Sequence, residues 1–162
     1  MNWTKISDKE SHLKQGDTLI ATMKFQNRKA ECHIGERIFQ IRKKGFWGNQ
    51  VELSDENGQI LSVLKPTNWF SSTCSFSLYG HEYQMIARNK PLIEYVVQQT
   101  GRDLLAYGLK VPQKTASAVI TDSRQTKSYE LDLLLWFLFA PVALSETGNC
   151  TAADEELLLL IA

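Results

Sequence analysis

The chain has 162 residues with 18 basic side chains, 18 acidic side chains and three cysteines. This length suits one domain with a sizeable core, and the charge balance argues against a nucleic-acid-binding protein, which needs a positive surface. The cysteines Cys32, Cys74 and Cys150 are odd in number and far apart, and the polar start shows no signal-peptide pattern. We therefore expect free thiols and a reducing, cytoplasmic location.

Most of the chain shows the two-residue periodicity of β-strands. Nine such segments are separated by turn residues: 18–26, 37–44, 50–54, 59–65, 72–80, 82–88, 92–98, 103–110 and 116–122. The pair Asn57-Gly58 predicts a type I′ hairpin turn, because both residues tolerate a positive φ. Regularly spaced short strands with no helix between them predict an antiparallel sandwich or barrel of nine to twelve strands.

The stretch "ELDLLLWFLFAPVAL" (130–144) is a different kind of segment, because the twelve residues from Leu133 to Leu144 are uncharged and almost wholly apolar. Twelve helical residues span about 18 Å, whereas the hydrocarbon core of a bilayer is about 30 Å thick. Pro141 is expected to end the helix, because it lacks a backbone N–H. A helix that is apolar on all sides is normally buried, so we predict a core helix and no transmembrane span.

Together these patterns predict one domain over residues 1–162. The fold is all-β with a central helix: a closed antiparallel barrel of about twelve strands, spanning about residues 18–127, around a buried helix at about 130–141. Such closure would remove the sheet edges and bury the helix on every side. Residues 145–162 form a C-terminal extension. Its end, "TAADEELLLLIA", predicts a short helix from about 152 that packs on the barrel or on a second copy.

Three quoted segments resemble the LURP-one-related proteins, which share the tubby C-terminal-like fold with the phospholipid scramblases. They are "FQIRKKGFWGNQVELSDENGQIL", "NWFSSTCSFSLYGHEYQM" and "QTGRDLLAYGL", and an Asp-led apolar helix follows them. The resemblance covers about residues 18–145 and implies a barrel of about twelve strands around a C-terminal helix. It also implies a non-enzymatic binding module for anionic phospholipid or for a protein.

The resemblance transfers no functional residue. The acidic calcium segment of scramblase-type proteins is replaced here by "TDSRQTKSYELD", whose carboxylates are too sparse for the six to eight oxygen ligands that calcium prefers. Tubby proteins bind phosphoinositides through paired basic residues on a strand, but no pair in this chain aligns with them. We expect neither a metal nor a cofactor.

The chain's own candidate site is "IRKKGFWGN", where Arg42, Lys43 and Lys44 precede the aromatic residue Trp47. Cations attract anionic head groups and Trp favours the membrane interface, so these four residues form a candidate lipid-binding site. The alternative is a solvated strand end with Trp47 folded back onto the barrel. Trp69-Phe70 is expected to cap the barrel mouth.

The distribution of charge along the chain does not decide between a functional basic surface and solvated faces. Residues 1–90 hold 13 basic and 9 acidic side chains, and residues 91–162 hold 5 and 9. This indicates either two solvated faces of opposite sign or a basic surface on the N-terminal strands.

Catalytic patterns do not emerge from the sequence. His12, His33 and His81 are scattered, and there is neither a glycine-rich phosphate loop nor a GxSxG motif. We therefore predict no catalytic residues. Two alternative functions remain, a barrel that carries a small apolar ligand and an enzyme without a recognisable motif.

Overall fold

The computed structural model of the chain describes residues 1–45, 49–68, 72–89, 92–111, 113 and 118–146. In this part of the chain, twelve antiparallel strands follow one another in sequence order and form a nearly closed barrel. The elements are β1 (Asn2–Ser7), β2 (Glu10–Gln15), β3 (Thr18–Gln26), β4 (Lys29–Ile34), β5 (Arg37–Lys44), β6 (Gln50–Asp55), β7 (Ile60–Pro66), β8 (Thr73–Leu78), β9 (His81–Asn89), β10 (Ile93–Gln99), β11 (Arg102–Lys110), β12 (Val119–Arg124) and the helix α1 (Tyr129–Glu146).

The barrel with a C-terminal helix is confirmed, but its first strands begin at Asn2 rather than near residue 18. The strands β1, β2 and β4 were not predicted. Their outer faces are polar, and β1 has a single buried side chain, that of Trp3. Such strands carry a weak local signal, because they become strands only when their neighbours pair with them.

The helix α1 is the core of the barrel. From Glu130 to Leu144 every residue is buried except Leu138 and Val142, which are partly exposed. The barrel thus wraps around the apolar segment, as predicted. In the part of the chain that the structure describes, no helix is long and apolar enough to cross a bilayer.

Pro141 lies inside α1 and does not end it, so the predicted end of the helix is wrong. Proline removes one intrahelical hydrogen bond and strains the preceding turn. Ala143 and Leu144, which follow it, are 0% and 7% exposed. Because continuation of the helix keeps these two apolar side chains in the core, burial outweighs the loss at the proline.

The predicted type I′ turn at Asn57-Gly58 is also wrong, since only Gly58 has a positive φ, of 78°. The carboxylate of Asp55 accepts hydrogen bonds from the backbone N–H groups of Asn57 and Gln59, each at 2.9 Å, and this holds a longer turn. Consecutive positive φ values occur instead at Tyr79-Gly80 and Thr100-Gly101. These two pairs close the hairpins β8–β9 and β10–β11.

The up-and-down strand order gives the barrel two ends. The connections that follow β2, β4, β6, β8 and β10 lie at the entry end, where α1 begins. The connections that follow β1, β3, β5, β7, β9 and β11 lie at the exit end, towards which α1 runs. Trp69-Phe70 and the predicted helix from about 152 lie outside the described residues.

Candidate functional site at the exit end of the barrel

The strand β5 separates the side chains of the predicted basic cluster. Arg42 and Lys44 lie on the outer face of the barrel, with side chains 49% and 43% exposed. Both are paired with one carboxylate of β6: Arg42 Nη2 lies 2.7 Å from Glu52 Oε1, and Lys44 Nζ lies 2.8 Å from Glu52 Oε2. Trp47 lies outside the described residues.

Lys43 lies on the inner face of β5, in line with Phe39 and Ile41, and is only 6% exposed. Its Nζ atom is buried and has no hydrogen-bond partner among the described residues. Burial, aided by the charge of Arg28, lowers the pKa of Lys43 to about 8. The three consecutive cations therefore do not form one surface, and Lys43 is not available to a head group at the outer face. The alternation of side chains along a strand already indicates that Lys43 lies on the opposite face from Arg42 and Lys44.

The β3–β4 connection and the start of β4 contribute two further cations that were not predicted as part of the site. Arg28 and Lys29 are both exposed, and Lys29 lies directly opposite Arg42 in the pairing of β4 with β5. Like charges at opposite positions of a sheet destabilise it. Arg28, Lys29, Arg42 and Lys44 are called the basic patch below. Within the described chain, Glu52 is the one carboxylate ion-paired with them, so the basic patch keeps a local positive excess.

Further lysines border the exit end. Lys9 follows β1, Lys65 lies near the end of β7, and Lys110 ends β11, and all three are exposed. Arg88 near the end of β9 is instead neutralised by Asp103, whose carboxylate lies 2.9 Å from its Nη1. Lysines of the β1–β2 connection, of β7 and of β11 thus lie at the same end of the barrel as the basic patch.

The entry end holds a buried polar cluster that fixes the start of α1. Asp132, which is 0% exposed, accepts hydrogen bonds from the guanidinium of Arg124 on β12 and from the hydroxyl of Tyr107 on β11. The Tyr107 hydroxyl in turn accepts bonds of 3.1 Å from Arg124 Nη2 and from the indole N–H of Trp3. Residues of three strands thus converge on one helical carboxylate.

The protonation of this cluster follows from its burial. Burial raises the pKa of Asp132, while Arg124 and Tyr107 lower it. Burial acts to lower the pKa of Arg124, but the hydrogen bond and charge of Asp132 raise it overall. Burial and the nearby carboxylate raise the pKa of Tyr107, which therefore remains a neutral donor. All three groups are committed to one another, so the cluster holds the helix rather than offering a free acid or base.

A second cluster at the entry end holds Glu130, two residues before Asp132. Its carboxylate lies 2.9 Å from Arg37 Nη1 and accepts hydrogen bonds of 3.2 Å from the hydroxyls of Tyr79 and Ser128. Arg37 also donates to Tyr79 at 3.0 Å. Acidic side chains suit the positive end of a helix dipole, and here strands of the barrel bind them.

Two histidines lie on the outer face in matching settings. His12 on β2 lies 2.7 Å from Glu10, and His33 on β4 lies 2.9 Å from Glu31. In each pair the glutamate lies two residues away on the same strand, and Lys24 of β3 lies opposite both glutamates. Among the described residues, no cluster of three or more histidine, cysteine, aspartate or glutamate side chains could hold a metal ion.

A surface groove of about 400 Å³ lies where β7 and β8 separate. These two strands pair at only two positions, Lys65 with Ser75 and Pro66 with Cys74. The hydroxyl of Ser62 faces this region, is buried, and has no hydrogen-bond partner in the described chain. Residues that line the groove include neither histidine nor cysteine, so it adds no support to the enzyme hypothesis.

Replacement of Lys43 by Met is expected to raise the free energy of unfolding at pH 7 by about 1–3 kcal/mol, because it removes a buried charge without a partner. The pKa of Lys43 is about 8 in the folded protein, against about 10.4 in an unfolded chain. Between these values the unfolded chain binds more protons, so the native protein gains stability as the pH rises through this range. The advantage of Lys43→Met should therefore shrink between about pH 8 and 10.

Urea denaturation at several pH values measures this effect. Lys44→Met, on the outer face of the same strand, is the matched control and should show no such pH dependence. A loss of stability in Lys43→Met at pH 7 would mean that the ammonium group has a stabilising partner.

Neither a family model nor a curated protein nor a solved structure matches this chain. The fold therefore rests on the strand order and on the buried helix. The likeness to LURP-one-related proteins remains a prediction from the quoted segments. A functional proposal therefore depends on the exposed charged side chains at the exit end.

Proposed function

We propose that the protein is a non-enzymatic binding module of the tubby-like, LURP-one-related type that binds anionic phospholipid through the basic patch. The observation that carries the proposal is that four cations, Arg28, Lys29, Arg42 and Lys44, lie at the exit end, while within the described chain Glu52 is the one carboxylate ion-paired with any of them. Lys29 and Arg42 face each other across two paired strands at a cost in stability. An anionic surface would relieve that repulsion.

The expected strength of the interaction follows from the charges. Each cation close to an anionic membrane surface contributes about 1 kcal/mol. After Glu52 neutralises one charge, three remain, which corresponds to weak, reversible binding of about 3 kcal/mol before any other contact is counted. Binding of this kind weakens with salt, because the Debye length falls from about 10 Å at 0.1 M to about 3 Å at 1 M.

The alternative functions gain less from the structure. A barrel that carries an apolar ligand needs interior space, and α1 fills the centre with buried side chains such as Trp136 and Phe137. An enzyme needs a free acid, base or nucleophile, whereas Asp132 and Glu130 are both bound by arginines. A protein partner with an acidic surface would use the same basic patch and is the outcome to consider if lipid binding fails.

Sedimentation with vesicles that contain phosphatidylserine tests the proposal. Lys29→Glu combined with Lys44→Glu is expected to weaken binding at least about thirtyfold, since two favourable charges of about 1 kcal/mol each are lost and two repulsive ones are added. Lys43 is left unchanged because its reversal would bury a carboxylate. Binding of the native protein should also fall steeply between 0.1 M and 1 M salt.

The matched control is Arg102→Glu with Lys127→Glu, which changes the net charge equally with two exposed residues at the entry end. It should bind almost as the native protein does. Equal losses in both double variants would show that only net charge matters. Binding of the native protein that is insensitive to salt and to both variants, or an absence of binding, would contradict the proposal.

A further inference from the structure

Exposed apolar side chains lie close together on one side of the barrel at its exit end. The exposed large hydrophobic residues of the described chain are Ile6, Leu19, Ile60, Tyr79, Val111, Val119 and Ile120. Three of them, Leu19, Ile60 and Tyr79, lie at the entry end. The other four lie at the exit end, on the side of the barrel formed by β11, β12 and β1.

The exposed apolar residues at the entry end are isolated from one another. Tyr79 at the entry end is part of the Glu130 cluster, where its hydroxyl donates to the carboxylate at 3.2 Å. Leu19 and Ile60 lie on β3 and β7, with three strands between them. Single exposed apolar residues of this sort are normal on protein surfaces. The entry end therefore has no apolar patch.

At the exit end, by contrast, Val111, Val119 and Ile120 belong to the ends of one strand pair. Val111 directly follows β11 and is 50% exposed, and Val119 and Ile120 begin β12 with exposures of 41% and 38%. Ile6 on β1 is 49% exposed. The strands β1 and β12 are the two edge strands of a nearly closed barrel. Closure therefore brings Ile6 towards the side of the barrel that holds Val119 and Ile120.

The start of β12 is exposed on both of its faces. Side chains on a strand alternate between its two faces, yet all five residues from Val119 to Ser123 are exposed. On β11 the last buried side chain is that of Leu109, and Lys110 after it is exposed. The described ends of these two strands are thus exposed, whereas Leu109 before them belongs to the core. Their exposed apolar groups adjoin Lys110, at the end that also carries the basic patch.

We infer that the exit-end apolar patch (Ile6, Val111, Val119 and Ile120) enters the interfacial layer of an anionic bilayer while the basic patch contacts its head groups. This inference rests on the proposed function and adds to it an orientation, in which the barrel stands end-on with its exit end towards the lipid. Apolar side chains and cations at the same end of the barrel are the combination that interfacial binding requires, since burial of apolar area and attraction to anionic lipid act together.

The arrangement of charges favours a bilayer, rather than a protein, as the partner that binds the exit end. A protein that covered only the apolar patch would leave the basic patch without a partner, whereas an anionic membrane is large and flat enough to meet both. The two contributions also differ in their response to salt. Attraction to head groups is screened at 1 M salt, and insertion of apolar side chains is not.

Val111→Asn combined with Val119→Asn tests the inference without a change in charge. We expect about twenty-five-fold weaker binding to vesicles of phosphatidylserine and phosphatidylcholine, because two half-exposed valines each contribute about fivefold when buried in the interface. Residual binding of the native protein at 1 M salt should disappear in this variant. The matched control is Leu19→Asn with Ile60→Asn, which removes equally exposed apolar residues from the entry end and should bind as the native protein does.

The outcomes separate the inference from the proposed function. Normal binding by Val111→Asn with Val119→Asn, together with weak binding by Lys29→Glu with Lys44→Glu, would overturn the inference alone. Failure of the native protein to bind any anionic vesicle would overturn both. A marked fall in the free energy of unfolding of the valine variant would show that the chain itself, or a second copy, already covers these residues, and would also overturn the inference.

Discussion

Replacement of Trp136 by Ala is expected to lower the free energy of unfolding by about 3–5 kcal/mol, the usual cost of truncating a large core aromatic residue. Trp136 is 1% exposed and stacks on Trp3 of β1 with ring centroids 5.3 Å apart and an interplanar angle of 4°. Its edge meets Tyr107 at 5.6 Å. The indole thus joins the helix to strands near both edges of the sheet, and its loss would leave a cavity at the closure of the barrel.

The variant Trp136→Phe separates volume from hydrogen bonding. The indole N–H of Trp136 is buried and has no partner among the described residues. An unsatisfied buried donor costs about 1–3 kcal/mol, so its removal should offset part of the lost volume, and Trp136→Phe should cost much less than Trp136→Ala. Urea denaturation followed by circular dichroism measures both. A loss below about 1 kcal/mol for Trp136→Ala would contradict the packing described here.

Removal of Arg124 is the second change with a large expected effect. Arg124→Met would leave the carboxylate of Asp132 at 0% exposure without its cation. Loss of one partner of a buried ion pair typically costs about 3–5 kcal/mol, because the other charge remains buried. The double variant Arg124→Met with Asp132→Asn removes both charges and should recover much of that loss. The three denaturation curves form a double-mutant cycle that measures the coupling.

The pH dependence of Arg124→Met provides an independent check. Without the guanidinium, the burial that already raises the pKa of Asp132 acts with less opposition. The folded variant then holds a proton that the unfolded chain releases, so its stability should fall as the pH rises above the ordinary pKa of an aspartate, about 3.9. The deficit relative to the native protein should therefore be smaller at pH 5 than at pH 7. A deficit that is independent of pH would place its cause in packing alone.

Both predictions concern how α1 is held in one orientation inside the barrel. A helix without a polar face has no preferred orientation inside an apolar shell, since any rotation about its axis buries similar side chains. The bonds of Asp132 to Arg124 and Tyr107, and of Glu130 to Arg37 and Tyr79, restrict that rotation at the entry end. The polar clusters therefore contribute specificity, while the apolar side chains supply most of the burial.

The division of roles between the two ends bears on the proposed function. At the entry end, the arginines that contact α1 are paired with its carboxylates, and the carboxylates of Glu130 and Asp132 are buried. At the exit end, Arg28 and Lys29 are exposed and share a surface with Arg42 and Lys44. The charges that contact the helix are thus at the opposite end of the barrel from the basic patch, so variants of the basic patch leave the bonds to α1 in place.

Local patterns in the sequence were sufficient for the fold class. The uncharged run from Leu133 to Leu144 predicted a buried helix, because such a segment has no face that water could solvate. Alternation in segments such as 18–26 and 103–110 predicted strands, because a half-buried strand repeats every two residues. Each of these two patterns is contained within a short window of neighbouring residues. The closed barrel followed from the need to bury the helix on all sides.

The tertiary structure alone decided what depends on pairing between distant segments. Lys29 meets Arg42 because of the register of β4 with β5, and β4 itself had too weak a local pattern to be predicted. Trp3 on β1 meets Tyr107 on β11 across 104 residues because the two edges of the sheet approach when the barrel closes. Pro141 stays within the helix because the surrounding strands bury the residues that follow it. In each case the deciding energy comes from contacts that form only after the sheet has assembled, and no window of neighbouring residues contains them.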